Sequence, residues 1–450
     1  LLRAAAKNAT ESLIEVGTGD RSELMASILG ENGDGPALSN ASGPDAASLD
    51  AASLDGAAAG GGLPQTARIP TIMQVLPSLV TGGVERGAVD IAAALVKAGW
   101  RAVVVSQGGP MVRELERAGA RHIALPVASK NPFTMHANVA RIEAAIRETG
   151  ADLVHARSRA PAWSARAAAK RARVPFVTTF HGTYNFATPF KRLYNAIMAK
   201  GVRVIAISDF IARHAIENYG VSPAVVRVVH RGIDLAKFDP ARVSVERQVK
   251  LAREWRLPDG LPVVMLPGRL TRWKGQTLLI DAVAKLGRRD MALLLVGADQ
   301  GRTAYRAELE RRVRARGLEG IVRVVDHCPD MPAAYMLADV VVSASTDPEA
   351  FGRVVAEAQA MGRPVVAPAH GAAPEILIEG KTGWTFAPGK VDALADALAL
   401  ALNLPAQTRQ TLSQIAIEHV RANFAKERMS KATLDVYAEV LRESRPEVWK

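Results

Sequence analysis

From Ile69 onward, short apolar runs rich in β-branched residues alternate with segments whose apolar positions recur every three or four residues. Residues 71–76 predict a strand, followed by a loop to Gly83, a helix over 84–98 and a strand at 101–106. Further strands are expected at 153–155, 176–180 and 204–207, with helices between them. The series then restarts, with strands at 262–267, 291–296, 322–325, 340–343, 364–367 and 383–386 and helices at 276–286 and 304–316. Strands apolar on both faces and separated by helices build parallel sheets covered on both sides. The expected fold class is α/β, with two Rossmann-like doubly wound domains over residues 68–240 and 241–425 facing a cleft. Residues 234–258 between them are charged, lack strand signals and read as a linker. Two closing helices, 407–423 and 426–442, follow, and residues 426–450 are expected to run back across the first domain.

The first 67 residues break this pattern. They are rich in Ala, Gly, Ser and Asp and include a tandem Ala-Ala-Ser-Leu-Asp at Ala46–Asp50 and Ala51–Asp55. Such a composition buries too little apolar surface to offset chain entropy, so a disordered leader is expected. A short helix within 10–29 is the most it suggests, and no secretory signal core is present. The chain opens on Leu1, as a fragment or an over-extended reading frame would.

Composition narrows the function. With 450 residues there is room for two substantial cores, and no stretch has the ~20 apolar residues of a membrane span. Cys328 is the single cysteine, which removes internal disulfides and cysteine zinc cages and makes the cytoplasm the expected location. The net charge is +12, and residues 141–213 hold 13 Lys and Arg against 4 Asp and Glu. A basic face of that kind draws anionic lipid or phosphorylated glycolipid, although a solvated helix in an Arg-rich protein has the same composition. No nucleic-acid partner is expected, because no helix-turn-helix, zinc finger or aromatic-studded strand accompanies the charge.

Three loops carry candidate chemistry. Thr81-Gly82-Gly83-Val84 follows a strand and opens a helix, where glycine lets backbone approach an anion at unpaired N–H groups; a ligand-free turn would look the same. Arg269 and Lys274, five residues apart on the loop Gly268–Gly275, can converge on a diphosphate without any Walker spacing. The third loop holds Glu349 and leads into a helix carrying Glu357. A loop carboxylate can bond sugar hydroxyls while a helix carboxylate reaches a ribose, and the amides of Phe351, Gly352 and Arg353 make an anion nest. A glycosidase acid and nucleophile pair is the other reading of two carboxylates, but hydrolysis needs no diphosphate cradle.

Together these motifs resemble glycosyltransferase family 4, a retaining family of the GT-B, two-Rossmann-domain superfamily. Its hallmark is two glutamates separated by seven residues, here Glu349 and Glu357. The resemblance runs over residues 72–437 and includes His181-Gly182, Ile207-Ser208 and Gly232-Ile233-Asp234. It implies that Arg269 and Lys274 hold the donor diphosphate, Glu349 the transferred sugar and Glu357 the ribose. Gly82 and Gly83 would approach phosphate or acceptor, and His181 would lie near the reacting sugar. Two departures stand out: Ala350 where Gly is usual and Arg231 where Asn is frequent.

The expected function is metal-independent hexosyl transfer from a nucleotide-diphosphate sugar to an envelope glycolipid or polysaccharide, such as a lipopolysaccharide core. No cofactor is expected, since the nucleotide sugar is a substrate, and an anionic membrane surface is a further expected partner. The alternatives are a soluble sugar-acceptor synthase, a nucleotide-sugar epimerase and a catalytically silent nucleotide-sugar-binding module.

Overall fold

The computed structural model describes residues 68–449 except Thr81 and residues 185–187. The expected leader over 1–67 and the threonine of the glycine turn lie outside the described residues.

The first sheet contains β1 (Thr71–Val75), β2 (Arg101–Ser106), β3 (Arg121–Ala124), β4 (Leu153–Ala156), β5 (Phe176–Phe180), β6 (Arg203–Ala206) and β7 (Val226–Val228). The second contains β8 (Val263–Pro267), β9 (Ala292–Val296), β10 (Val322–Val325), β11 (Val340–Val342), β12 (Val365–Pro368) and β13 (Gly383–Phe386). Every strand pairing is parallel. The orders are β3-β2-β1-β4-β5-β6-β7 and β10-β9-β8-β11-β12-β13. In each sheet the chain winds outward from a first strand and then restarts on that strand's other side. This leaves a crevice between β1 and β4 and another between β8 and β11, where open α/β sheets bind ligands beyond the strands' carboxyl ends.

Apolar alternation located the central strands because helices cover both their faces, leaving β1, β5, β8 and β9 buried throughout. Boundaries agree with expectation to within about a residue or two. Strands β3 and β7 carried no usable signal: they are edge strands, short and partly exposed, with Arg121 and Arg227 in them. The expected linker contains a ten-residue helix, Val245–Glu254, capped by Ser244, whose side chain accepts from the Arg247 amide. Only Leu251 of that helix is fully buried, so its apolar period was too weak to read.

Local sequence explains the helices that position the site. Helix Gly83–Lys97 buries Ala88, Ile91, Ala92 and Leu95 at three- and four-residue spacing, with Glu85 in its first turn and Lys97 in its last. Helix Asp209–Tyr219 starts at Ser208, whose Oγ accepts from the Ile211 amide, and stops at Gly220 with φ 63°. The last long helix, Lys426–Ser444, lies on the first sheet. Tyr437 is fully buried there with its hydroxyl 2.6 Å from His155 Nδ1 of β4. Glu439 of the same helix pairs with Arg203 and Arg227 on the last two strands.

Candidate active site

The loop after β8 ends in a turn of 3-10 helix, Arg272–Lys274, closed by Gly275 at φ 72°. A Cβ on Gly275 would lie 1.9 Å from the Ala344 carbonyl oxygen, so only glycine lets this loop press against the chain after β11. That approach brings Lys274 Nζ to 2.7 Å from Glu349 Oε1 and 4.4 Å from the Trp273 ring centre. The same carboxylate oxygen accepts from Ser345 Oγ at 2.5 Å and Ser343 Oγ at 3.2 Å. Burial pushes the Glu349 carboxyl up, but Lys274 and the two serines outweigh it and hold it below the usual carboxylate range. All three donors use Oε1, which leaves Oε2 as this carboxylate's remaining acceptor.

Glu357 lies in helix Arg353–Ala360, which starts from Gly352 at φ 77° with no side-chain cap. Its Oε2 accepts from the buried Tyr335 hydroxyl at 3.0 Å and its Oε1 from Arg353 at 2.6 Å. Burial, then the charge of Glu357, pushes the Tyr335 phenol well up, so it stays a donor. Phe351 is buried and packs edge-on against Phe424, fixing the chain just before the uncapped amides. Arg269 is exposed at the start of the β8 loop. Tyr335, Ser343 and Ser345 went unnoticed in the sequence because an isolated Tyr or Ser near a strand end is too common to signal a site.

At the first sheet's switch point, Gly82 precedes helix Gly83–Lys97 and makes no side-chain cap. Arg231 donates to the Gly83 carbonyl, and a Cβ on Gly83 would lie 2.9 Å from the Arg231 guanidinium. Arg157, the residue after β4, is 5% exposed and donates to Gln74 Oε1 at 3.1 Å. It belongs to the run read from sequence as part of a basic face; the structure divides that run. Arg157 points inward, while Arg166, Lys170, Arg171 and Arg173 are exposed. The His181 ring faces a small interior cavity shared with Arg157, Thr179 and Arg231, with both ring nitrogens buried and unpartnered. Burial first, then the charges of Arg157 and Arg231, pushes its pKa well down, so the imidazole is neutral.

The carboxyl edges of the two sheets meet. Ser208, after β6, donates to the Ala350 carbonyl at 2.7 Å. Glu375, after β12, accepts from the amides of Asp209 at 2.8 Å and Phe210 at 2.5 Å, capping a first-domain helix from the second domain. Both crevices therefore open toward one another, and Arg353 is close enough to Arg231 for its charge to oppose that guanidinium's protonation.

Two α/β domains thus meet at their switch points, one of them holding a lysine–glutamate pair and a helix-borne glutamate. Residues 81–237 match the family described as Glycosyltransferase Family 4, and residues 248–419 match Glycosyl transferases group 1. A glycosyltransferase structure from Rickettsia africae is 35% identical, with TM-score 0.78, covering 83% of this chain and 99% of that one. An Anabaena protein crystallised with UDP and glucose is 25% identical, with TM-score 0.72, covering 82% of this chain and 100% of that one. A D-inositol 3-phosphate glycosyltransferase of Salinispora tropica is 35% identical over 260 residues, 55% of this chain and 53% of that protein. The match thus spans about half the length of that curated relative. The chain belongs to the GT-B glycosyltransferases that join a family 4 domain to a group 1 domain.

Proposed function

We propose that the chain transfers a hexose from a nucleotide-diphosphate sugar to an acceptor held on the first domain, with retention of anomeric configuration. The observation that carries this reading is the Lys274–Glu349 pair beside the uncapped helix Arg353–Ala360 at the second sheet's switch point. As the anomeric C–O bond breaks, charge builds on the leaving diphosphate. Lys274, Arg269 and the amides of Phe351, Gly352 and Arg353 would stabilise that charge where it develops. Glu349 Oε2 would accept from the transferred sugar's hydroxyls, and Glu357 would take the ribose in an orientation set by Tyr335 and Arg353. Gly82 and Gly83 would bring backbone close to the phosphate or acceptor, and His181 would act from the first-domain side.

No side chain offers a secure covalent nucleophile, so attack occurs on the face the diphosphate leaves; trapping a glycosyl-enzyme adduct would refute this. The cations take the place of a divalent metal, and activity should persist in excess EDTA. Among the described residues, Asp209, His230 and Glu375 come together as three groups that could hold an ion, but both Glu375 oxygens already accept from amides.

A UDP-sugar donor is supported by the Anabaena relative's complexes with UDP and UDP-glucose. For the acceptor, an envelope glycolipid or polysaccharide such as a lipopolysaccharide core agrees with the exposed basic and apolar side chains near helix Arg159–Ala172. Ser164 of that helix bonds the Met135 carbonyl and Trp163 bonds the Tyr194 carbonyl, which sets Phe133 and the pair Phe190 and Leu193 on flanking helices. All three are exposed, and so are Lys191 and Arg192 between Phe190 and Leu193. Such a surface suits peripheral binding to anionic membrane from the cytoplasmic side. A small phosphorylated polyol is a second reading, favoured by relatives named D-inositol 3-phosphate glycosyltransferases.

The deciding experiment is a thermal-shift panel of UDP-, GDP-, ADP- and dTDP-sugars without metal. Saturation at ~100 times Kd adds about 2.7 kcal/mol, a shift of a few degrees. One responding base, lost in Lys274→Ala, is expected; silence from all four would sink the reading.

A further inference from the structure

In the first domain a chain of buried polar groups runs from the last long helix toward His181. Tyr437 of helix Lys426–Ser444 is fully buried, with its hydroxyl 2.6 Å from His155 Nδ1, and His155 Nε2 lies 2.7 Å from Thr179 Oγ1. His155 on β4 is opposite Val177 on β5, so Thr179, two residues further on, rises from the same face of the sheet as the imidazole. His181 follows two residues later, just past the carboxyl end of β5. Thr179 and His181 line the same small cavity, which measures about 20 Å³ and has room for one water molecule. Both His181 ring nitrogens, and Nε of Arg157 on the cavity wall, are buried without a hydrogen-bond partner.

The direction of this chain follows from where its hydrogens can go. Burial pushes the Tyr437 phenol up, so it keeps its proton. Burial first, then the charge of Arg157, pushes His155 well down, so its ring is neutral and carries a single N–H. Among the described residues His155 Nδ1 is the only side-chain partner of the Tyr437 hydroxyl. An Nδ1–H tautomer would leave the phenol hydrogen buried without an acceptor, a cost that the Nε2–H tautomer avoids. The phenol therefore donates to Nδ1, the ring hydrogen sits on Nε2, and Thr179 Oγ1 accepts it. The Thr179 hydrogen has no acceptor among the described residues, and the cavity shared with His181 is the polar space open to it.

Resting on the transferase reading above, we infer that Tyr437 and His155, acting through Thr179 and one water bound in this cavity, are positioning residues that set the tautomer and pose of His181. The Thr179 hydroxyl donates to the water, and the water donates to one imidazole nitrogen. The other nitrogen of the neutral ring then carries the hydrogen and is held as a donor. Arg157 Nε donates to the same water, which gives it three partners, the usual number for a buried one. The chain transfers no proton during the reaction; it holds the direction of the hydrogen bonds behind His181.

The test begins without substrate, with the ring-nitrogen chemical shifts of the full chain measured by NMR and assigned by their loss in His155→Gln and His181→Gln. His155 should be the Nε2–H tautomer in the wild type; an Nδ1–H tautomer overturns the inference. The His181 signals should move in Tyr437→Phe and in Thr179→Val, and signals unmoved in both overturn it. Turnover of the nucleotide sugar that the thermal-shift panel selects then separates positioning from bulk structure. Tyr437→Phe and Thr179→Val should each lower kcat roughly tenfold and leave the nucleotide-sugar KM within about twofold. The double variant should be within about twofold of the worse single one, because both break the same chain. Thr179→Ser, which keeps the hydroxyl, should retain kcat within about twofold of wild type. Additive losses in the double variant, or a Thr179→Ser as impaired as Thr179→Val, overturn the inference in favour of separate packing effects. Absence of turnover with every nucleotide sugar overturns the transferase reading alone: His181 signals that still respond to Tyr437→Phe leave the relay standing.

Discussion

At the second sheet's switch point two of the cations that line the crevice have carboxylate partners: Lys274 lies 2.7 Å from Glu349, and Arg353 2.6 Å from Glu357. At the first sheet's switch point, on the same fold, Arg157 and Arg231 donate to uncharged acceptors, Gln74 and the Gly83 carbonyl, and make no ion pair among the described residues. The paired arrangement is neutral by itself and fixes its side chains before any ligand arrives, which suits a site that must meet developing charge in one geometry. The unpaired arrangement sets two like charges close together, so that Arg157 opposes the protonation of Arg231. One domain thus fixes its cations by charge pairing and the other by bonds to neutral groups.

The strongest way to break this contrast is to remove one member of the paired set. Lys274→Ala and Glu349→Gln should each lower turnover by at least ~100-fold, measured as labelled sugar transferred; near-normal turnover in folded variants would remove both from the mechanism. Lys274→Ala should also cost about 3 kcal/mol in denaturant unfolding, because it strands a buried carboxylate. The sign of its pH dependence follows from the depressed Glu349 pKa. The pair's contribution is complete above the ordinary carboxylate pKa, about 4.3, and is lost as pH falls through the lower folded value, so wild type and Lys274→Ala should converge in stability in acid. A gap that stays constant across that range would mean that the pair is not what Lys274→Ala disturbs.

A smaller effect is expected where the domains join. Glu375→Ala removes the cap on the Asp209 and Phe210 amides and should cost about 1–2 kcal/mol. Solution scattering should report a larger radius of gyration, and an unchanged radius would assign closure to other contacts. Tyr335→Phe should cost about 1 kcal/mol and weaken nucleotide binding, since Glu357 loses one orienting donor. Unchanged nucleotide affinity would separate Glu357 from the ribose. Arg231→Gln gives the smallest change in the unliganded chain, within about 0.5 kcal/mol of wild type or slightly stabilising, because relief of repulsion offsets the lost bond to Gly83. A loss of several kcal/mol there would show that the first domain's cations are structural and would erase the contrast.

Much of this was legible along the chain. The periodicity of apolar positions located the central strands of both sheets and most helices, because helices on both faces force those strands to be apolar throughout. The glycine turns and the spacing of Glu349 and Glu357 marked the loops at the strand ends. Edge strands β3 and β7 and helix Val245–Glu254 were missed where solvent, rather than a packed neighbour, meets one side of the element.

What the sequence by itself determined is the pair of sheets, the loops that bear chemistry and the family they resemble, since each depends on neighbours a few residues apart. Only the tertiary structure decided that Arg157 turns inward to Gln74, 83 residues away, and that Arg231 reaches Gly83 across 148. It likewise decided that Tyr335 supports Glu357 and that His155 closes on Tyr437 across 282 residues. The reason is the strand order. A local period reports which face of an element is buried, but not which elements become neighbours, and the partner of a buried charge depends on the neighbours alone.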